Sequence, residues 1–160
     1  MKNFGASALT NSELEIPTYQ VRIDDLKTSQ ETAKSVWVPN RNGIFLNIAA
    51  GFAESLKADW IIPGFNIEEA ATFPDNSQEF LTSLNQSFFY STSNHVEVKC
   101  FTTKLDKTEI VSRGIELEVD FDLIWPCYFA GSSPCAKCES CLRFVRALQK
   151  NNLTTYWMSL

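Results

Sequence analysis

Four of the five cysteines stand within fifteen residues, as Cys127, Cys135, Cys138 and Cys141 in the spacing C-x7-C-x2-C-x2-C. Zinc prefers four thiolate or imidazole ligands in a tetrahedron, and a C-x2-C turn carries two sulfurs to one ion. Cys135 and Cys138 suit such a turn, and Cys141 would fall on the first turn of a following helix. Cys127 would return from a loop that Gly131, Ser132, Ser133 and Pro134 keep open. Lys137 and Arg143 offer positive charge against a four-thiolate centre. With every coordination position filled by protein, the spacing predicts one structural Zn2+ per chain. Two other readings stand beside it. C-x2-C-x2-C also occurs at iron–sulfur clusters, and clustered cysteines can be incidental; the wide first gap and the proline before Cys135 favour zinc.

The remaining chemistry-bearing residues are scattered. Arg41 and Asn42 follow Pro39 and precede an apolar helical run, a place suited to an anion or a nucleotide edge. A plain helix cap, with Asn42 as the N-cap and Arg41 solvated, accounts for them as simply. Asp75 and Glu79 could orient substrate or magnesium, because a carboxylate after Pro74 sits on a rigid turn; helix capping is the competing reading. Asn66, with Glu68 or Glu69, follows a predicted strand end, where α/β sheets bind ligands. Lys107 opens a helix. His95, the sole histidine, reads as a surface or capping residue, and Cys100 as a small buried one. No Ser–His–Asp or Cys–His constellation is assembled.

The elements that would position these residues alternate. Residues 1–36 read as irregular, with one candidate strand at Tyr19 to Ile23. A helix is predicted over Gly43 to Lys57, with Phe45, Ile48, Ala49, Phe52, Ala53 and Leu56 at helical spacing. Asp59 to Phe65 reads as a buried strand. Asn76 and Glu79 form a capping-box pattern opening a helix to Phe89, His95 to Phe101 alternates as a strand, and Asp106 with Glu109 caps another helix. Cys138 to Lys150 is the last helix. The order predicts a single α/β domain over residues 1–160 with a mainly parallel sheet: an irregular opening at 1–36, a body at 37–126 and a zinc knuckle with its helix at 127–150.

Composition narrows the class. At 160 residues and 44% hydrophobic, with twelve Phe and four Trp, the chain can bury a core. A net charge of −5 and the lack of a basic patch argue against direct binding to nucleic acid. No apolar run is long enough to span a bilayer, and no secretory signal opens the sequence, so a cytoplasmic location is expected.

Four separated segments carry a family resemblance: VPNRNGIFLNIAAGFAESLKAD, FPDNSQEF, the K-T-E-I-V of Lys107 to Val111, and CYFAGSSPCAKCESCLR. In this order they resemble the C-terminal two-thirds of the 7-cyano-7-deazaguanine synthases of queuosine biosynthesis. The resemblance runs from about Gly5 to Gln149 and implies an adenine-nucleotide α-hydrolase-like, Rossmann-like α/β fold. It also implies an ATP-dependent ligase that adenylates 7-carboxy-7-deazaguanine, admits ammonia, and activates again to form the nitrile. By the same resemblance, Cys127, Cys135, Cys138 and Cys141 bind zinc, and Arg41, Asn42, Asp75, Glu79 and Lys107 are expected to face substrate or ATP; Asn66 and Glu69 join them by location alone.

The departures carry information too. The family's phosphate loop, S-G-G-x-D-S, occurs nowhere in these 160 residues. Asn40 replaces the glycine of V-P-G-R-N, and Asn76-Ser77 the C-R of P-D-C-R. Glu69, Phe73, Pro126 and Ala136 replace Asp, Tyr, Ser and Gly, and Glu118 sits where a helix-ending glycine is usual. The expectation is a chain inactive alone, using ATP and Mg2+ only when complemented by a phosphate-loop half-protein, with that half-protein or a homodimer as the expected partner. A non-catalytic binding module and a related ligase-like defence or modification protein are the alternatives.

Overall fold

The structure is a computed structural model that describes residues 7–18 and 23–159. The candidate strand at Tyr19 to Ile23 lies outside the described residues except for Ile23, which is in a turn. Two compact units form, one from residues 1–38 and 106–160, the other from residues 39–105.

In the second unit, helix α2 (Arg41–Ser55) is followed by strand β1 (Trp60–Ile61), a one-turn helix α3 (Ile67–Ala70), a 3-10 turn (Pro74–Asn76), helix α4 (Gln78–Ser91) and strand β2 (Glu97–Val98). β1 and β2 pair in parallel, Trp60 opposite Glu97 and Ile61 opposite Val98. Parallel strands require a crossover, and here α3 and α4 supply it. Leu46 and Ala50 of α2, Leu81, Leu84 and Phe88 of α4, and Val98 of β2 form the core. Asn85 ties α4 to the sheet from mid-helix: its amide donates to the Val98 carbonyl at 3.1 Å and its oxygen accepts the Val98 N–H at 2.6 Å. The predicted parallel α/β arrangement is present as this small sheet.

The apolar residues at helical spacing in α2 are mostly not the ones it buries. Leu46, Ala50 and Ala53 are buried, whereas Phe45, Ile48, Phe52 and Leu56 are 53%, 56%, 66% and 77% exposed. The helix is apolar nearly all round, so periodicity alone could not single out the buried stripe. The exposed residues sit three and four apart and form a continuous apolar stripe of their own.

The first unit holds a helix the sequence reading missed, α1 (Leu26–Val36), where an irregular segment was expected. Asp25 caps it, accepting the Thr28 N–H at 3.0 Å, and Ser29, Ala33 and Val36 are its buried face. Helix α5 (Lys107–Glu116) starts with the predicted capping box: Asp106 accepts the Glu109 N–H and Glu109 accepts the Asp106 N–H, both at 2.8 Å. Helix α6 (Glu139–Lys150) packs on α5 through Phe144, Ala147 and Leu148 against Val111. No helix among the described residues is long and apolar enough to cross a membrane.

Candidate metal centre and substrate-side residues

The four clustered cysteines come together at the start of α6. Cys138 is its N-cap and Cys141 lies in its first turn, both fully buried, while Cys127 and Cys135 are half-buried on the preceding loop. Their sulfurs all lie within 4.8 Å of one another. Four thiolates at about 2.3 Å from one ion have sulfur–sulfur edges of about 3.8 Å, so the observed cluster is close to the size a tetrahedral ion demands.

Backbone amides are aimed at the sulfurs. Cys127 Sγ accepts the N–H groups of Phe129 and Cys135, each at 3.3 Å, and Cys135 Sγ accepts those of Lys137 at 3.4 Å and Cys138 at 3.3 Å. Amide donors to a sulfur stabilise its thiolate form. The Cys141 thiol, hydrogen-bonded to Cys138, holds Cys138 down to about 5. The same bond, with burial, pushes Cys141 above the ordinary thiol range, and burial raises Cys127. A cation bound here would displace the thiol protons. The residues fit a metal ion.

The charge balance differs from the sequence reading in one respect. Arg143, expected to offset the thiolates, donates through Nε and Nη2 to Glu139 Oε1 at 3.0 and 2.8 Å, with both side chains buried. Glu139 Oε2 accepts from Thr32 Oγ1 at 3.0 Å, and Arg143 Nη2 donates to Ser29 Oγ at 3.0 Å. Its positive charge is thus balanced by a carboxylate of the same helix. Ser29, Thr32 and Glu139 went unnoticed in the sequence, although the i,i+4 pairing of Glu139 with Arg143 is a legible helix signal.

In the other unit, the structure gathers Arg41, Asn42 and Asp75. Asn42 is not the cap that was expected: Asn40 occupies that place in a left-handed conformation (φ 55°) with no side-chain cap bond. Asn42 is buried one residue inside the helix, where its amide donates to the Asp75 carbonyl at 3.2 Å. Arg41 Nε donates to Asn42 Oδ1 at 3.4 Å. Asp75 is buried on the 3-10 turn, and Asn76 donates to its Oδ1 at 3.1 Å. Burial pushes the Asp75 carboxyl above its usual range, against the opposing pull of the Asn42 main-chain N–H and the Arg41 charge.

Asn76 is likewise not a helix cap. Ser77 caps α4, accepting the Phe80 N–H at 3.1 Å, because Pro74 draws Asn76 into the preceding turn. Glu79 is exposed in the first turn of α4. Asn66 is buried and caps α3, accepting the Glu69 N–H at 3.0 Å, with Glu69 half-buried beside it. Lys107, in the first unit, is the half-buried first residue of α5. His95 is exposed and stacks on Phe89, and Cys100 is half-buried with its thiol toward the Phe65 carbonyl.

The family model described as queuosine biosynthesis protein QueC matches residues 1–152. A 7-cyano-7-deazaguanine synthase of Bdellovibrio bacteriovorus is 58% identical over 153 residues, covering 95% of this chain and 66% of that protein. Proteins of the same name from Pelotomaculum thermopropionicum and Carboxydothermus hydrogenoformans are 48% and 49% identical. They are covered over 70% and 68% of their length by 96% and 92% of this chain. The chain therefore spans about two thirds of the length of these relatives. A family match over nearly every residue, together with the four cysteines gathered at one helix start, places the chain in the 7-cyano-7-deazaguanine synthase family.

Proposed function

We propose that these 160 residues furnish the substrate-side part of an ATP-dependent ligase that makes 7-cyano-7-deazaguanine, together with a structural zinc centre. The observation that carries this reading is the 58% identity over 153 residues to a protein of that name. In the proposed reaction, a carboxylate oxygen of 7-carboxy-7-deazaguanine attacks the α-phosphate of ATP and pyrophosphate leaves. Ammonia then displaces AMP to give the amide. The amide oxygen then attacks the α-phosphate of a second ATP, pyrophosphate leaves again, and departure of AMP with the amide oxygen and loss of both N–H protons leaves the nitrile.

Within this reading Arg41, Asn42, Asn66, Glu69, Asp75 and Glu79 serve the substrate and nucleotide in one unit, and Lys107 serves ATP in the other. Arg41 and Lys107 supply positive charge for phosphate oxygens, as expected of residues at helix starts. Asp75, whose carboxyl burial raises, is suited to hold or accept a proton near the deazapurine. Zinc at Cys127, Cys135, Cys138 and Cys141 has no open position and fixes the start of α6. The β1–β2 pair would belong to a larger Rossmann-like parallel sheet, since parallel strands are normally covered on both faces.

Donors for the departing pyrophosphate must come from outside these 160 residues, which contain no S-G-G-x-D-S. The exposed Phe45, Ile48, Phe52 and Leu56 stripe is the surface we assign to the polypeptide that brings them. The test is product formation. The chain, supplied with a polypeptide bearing the phosphate loop of a relative, ATP, Mg2+, ammonia and 7-carboxy-7-deazaguanine, should yield the nitrile by mass spectrometry. Binding of the deazapurine without any product would favour a non-catalytic binding module instead.

A further inference from the structure

Glu139 lies between two of the clustered cysteines in sequence and is buried with them, yet its carboxylate turns away to the neighbouring helix α1. Resting on the metal reading of the four cysteines, we propose that Glu139 and Arg143 are positioning residues that couple metal occupancy to the docking of α1. An ion held by Cys138 and Cys141 fixes the N-cap and first turn of α6, and so the backbone that carries Glu139. Glu139 Oε1 takes both Arg143 bonds and its Oε2 takes the Thr32 hydroxyl. Arg143 in turn holds Ser29.

Ser29 and Thr32 sit three residues apart on α1 and face α6 together. Their bonds to a buried ion pair attach that helix to the first turns of α6, beside the Arg146–Asp24 pair that ties the next turn of α6 to the residue before the α1 cap. A buried pair tolerates the loss of a partner poorly, because the charge left behind has no water to replace it. When the ion leaves, the first turn of α6 is free to fray, and the pair can be hydrated only if α1 lifts. The coupling is reciprocal: whatever factor the ion adds to α1 docking, α1 docking adds to ion affinity. Helix α5 packs on the far end of α6, around Phe144 to Leu148, and is outside this path.

Hydrogen exchange on the full chain tests this, before and after Zn2+ is removed with a chelator, with metal content measured in parallel. Amides of α1 should exchange on the order of ten- to a hundredfold faster without zinc. Those of α5 and α4 should change little. Thr32→Val keeps the side-chain volume and removes the hydroxyl donor. It should weaken Zn2+ affinity by a similar factor and shrink the effect of chelation on α1, while Ser35→Ala on the same helix leaves affinity unchanged. Unchanged α1 exchange after complete zinc loss overturns the proposal, as does equal loosening of α1, α4 and α5, which would report general unfolding. A chain that binds no Zn2+ even when it is added overturns the metal reading and this proposal together.

Discussion

The Asn42 side-chain amide donates to the main-chain carbonyl of Asp75 at 3.2 Å, joining residues 33 positions apart. This bond fixes the turn that carries Asp75 against the first turn of α2. Asn42→Ala removes the donor and leaves a buried carbonyl unpaired, which should cost about 1–3 kcal/mol. Chemical denaturation measures that loss, and in the complemented enzyme the same variant should raise the KM for the deazapurine.

Asp75 predicts a pH signature. Its carboxyl is raised above its usual value by burial, so its folded state favours the proton. For a raised carboxyl, the associated stability is complete below the unfolded value near 3.8 and is lost as pH rises through the folded value. Asp75→Asn, which keeps the shape and the Asn76 bond, should therefore raise the Tm at pH 7 and leave it nearly unchanged at pH 3. An equal shift at both pH values would contradict the burial argument.

Left-handed backbone marks three positions at which the resemblance leads one to expect glycine. Asn40, Glu118 and Ala136 have φ of 55°, 57° and 54°. Asparagine visits this region readily, but glutamate and alanine pay roughly 1–2 kcal/mol there. Glu118→Gly and Ala136→Gly should each stabilise the chain by about 0.5–1 kcal/mol in denaturation midpoints, whereas Asn40→Gly should change little.

The metal centre makes its own prediction. Purified protein should hold close to one zinc per chain, and Cys138→Ser should lose it, with the start of α6 loosened, because structural metal contributes folding free energy directly. Acidification should also release zinc from the wild-type protein, since protons compete with the metal for the thiolates. Iron with visible absorbance in place of zinc would contradict this assignment.

Legibility followed the physics of each segment. The knuckle, α5 and its capping box were readable because their signals are local: cysteine spacing, and Asp106 with Glu109 three residues apart. Helix α1 was missed because its buried face is Ser29, Ala33 and Val36, too polar and small to register as an apolar stripe. The buried face of α2 was not legible because both faces are apolar. At α4, two neighbouring residues could each cap, and Pro74 decided for Ser77 by drawing Asn76 into its turn. Among the candidate site residues, the sequence singles out Arg41, Asn42 and Asp75 one by one, but their meeting depends on packing across 33 residues that no local pattern encodes.

Metal binding needs only the four cysteines of this chain, whereas AMP formation needs the phosphate loop as well as Arg41 and Lys107. AMP formation measured beside zinc content tests this most directly. The 160 residues alone should form no AMP with ATP, ammonia and 7-carboxy-7-deazaguanine. Preorganised donors to the departing pyrophosphate are worth about 2.7–4 kcal/mol each, and this sequence lacks the loop that supplies them. A polypeptide carrying that loop should restore AMP release. Arg41→Ala and Lys107→Ala should then each reduce it at least about a hundredfold, with zinc still near one per chain. Strong AMP formation by the chain alone, or full activity in both variants, would contradict the account.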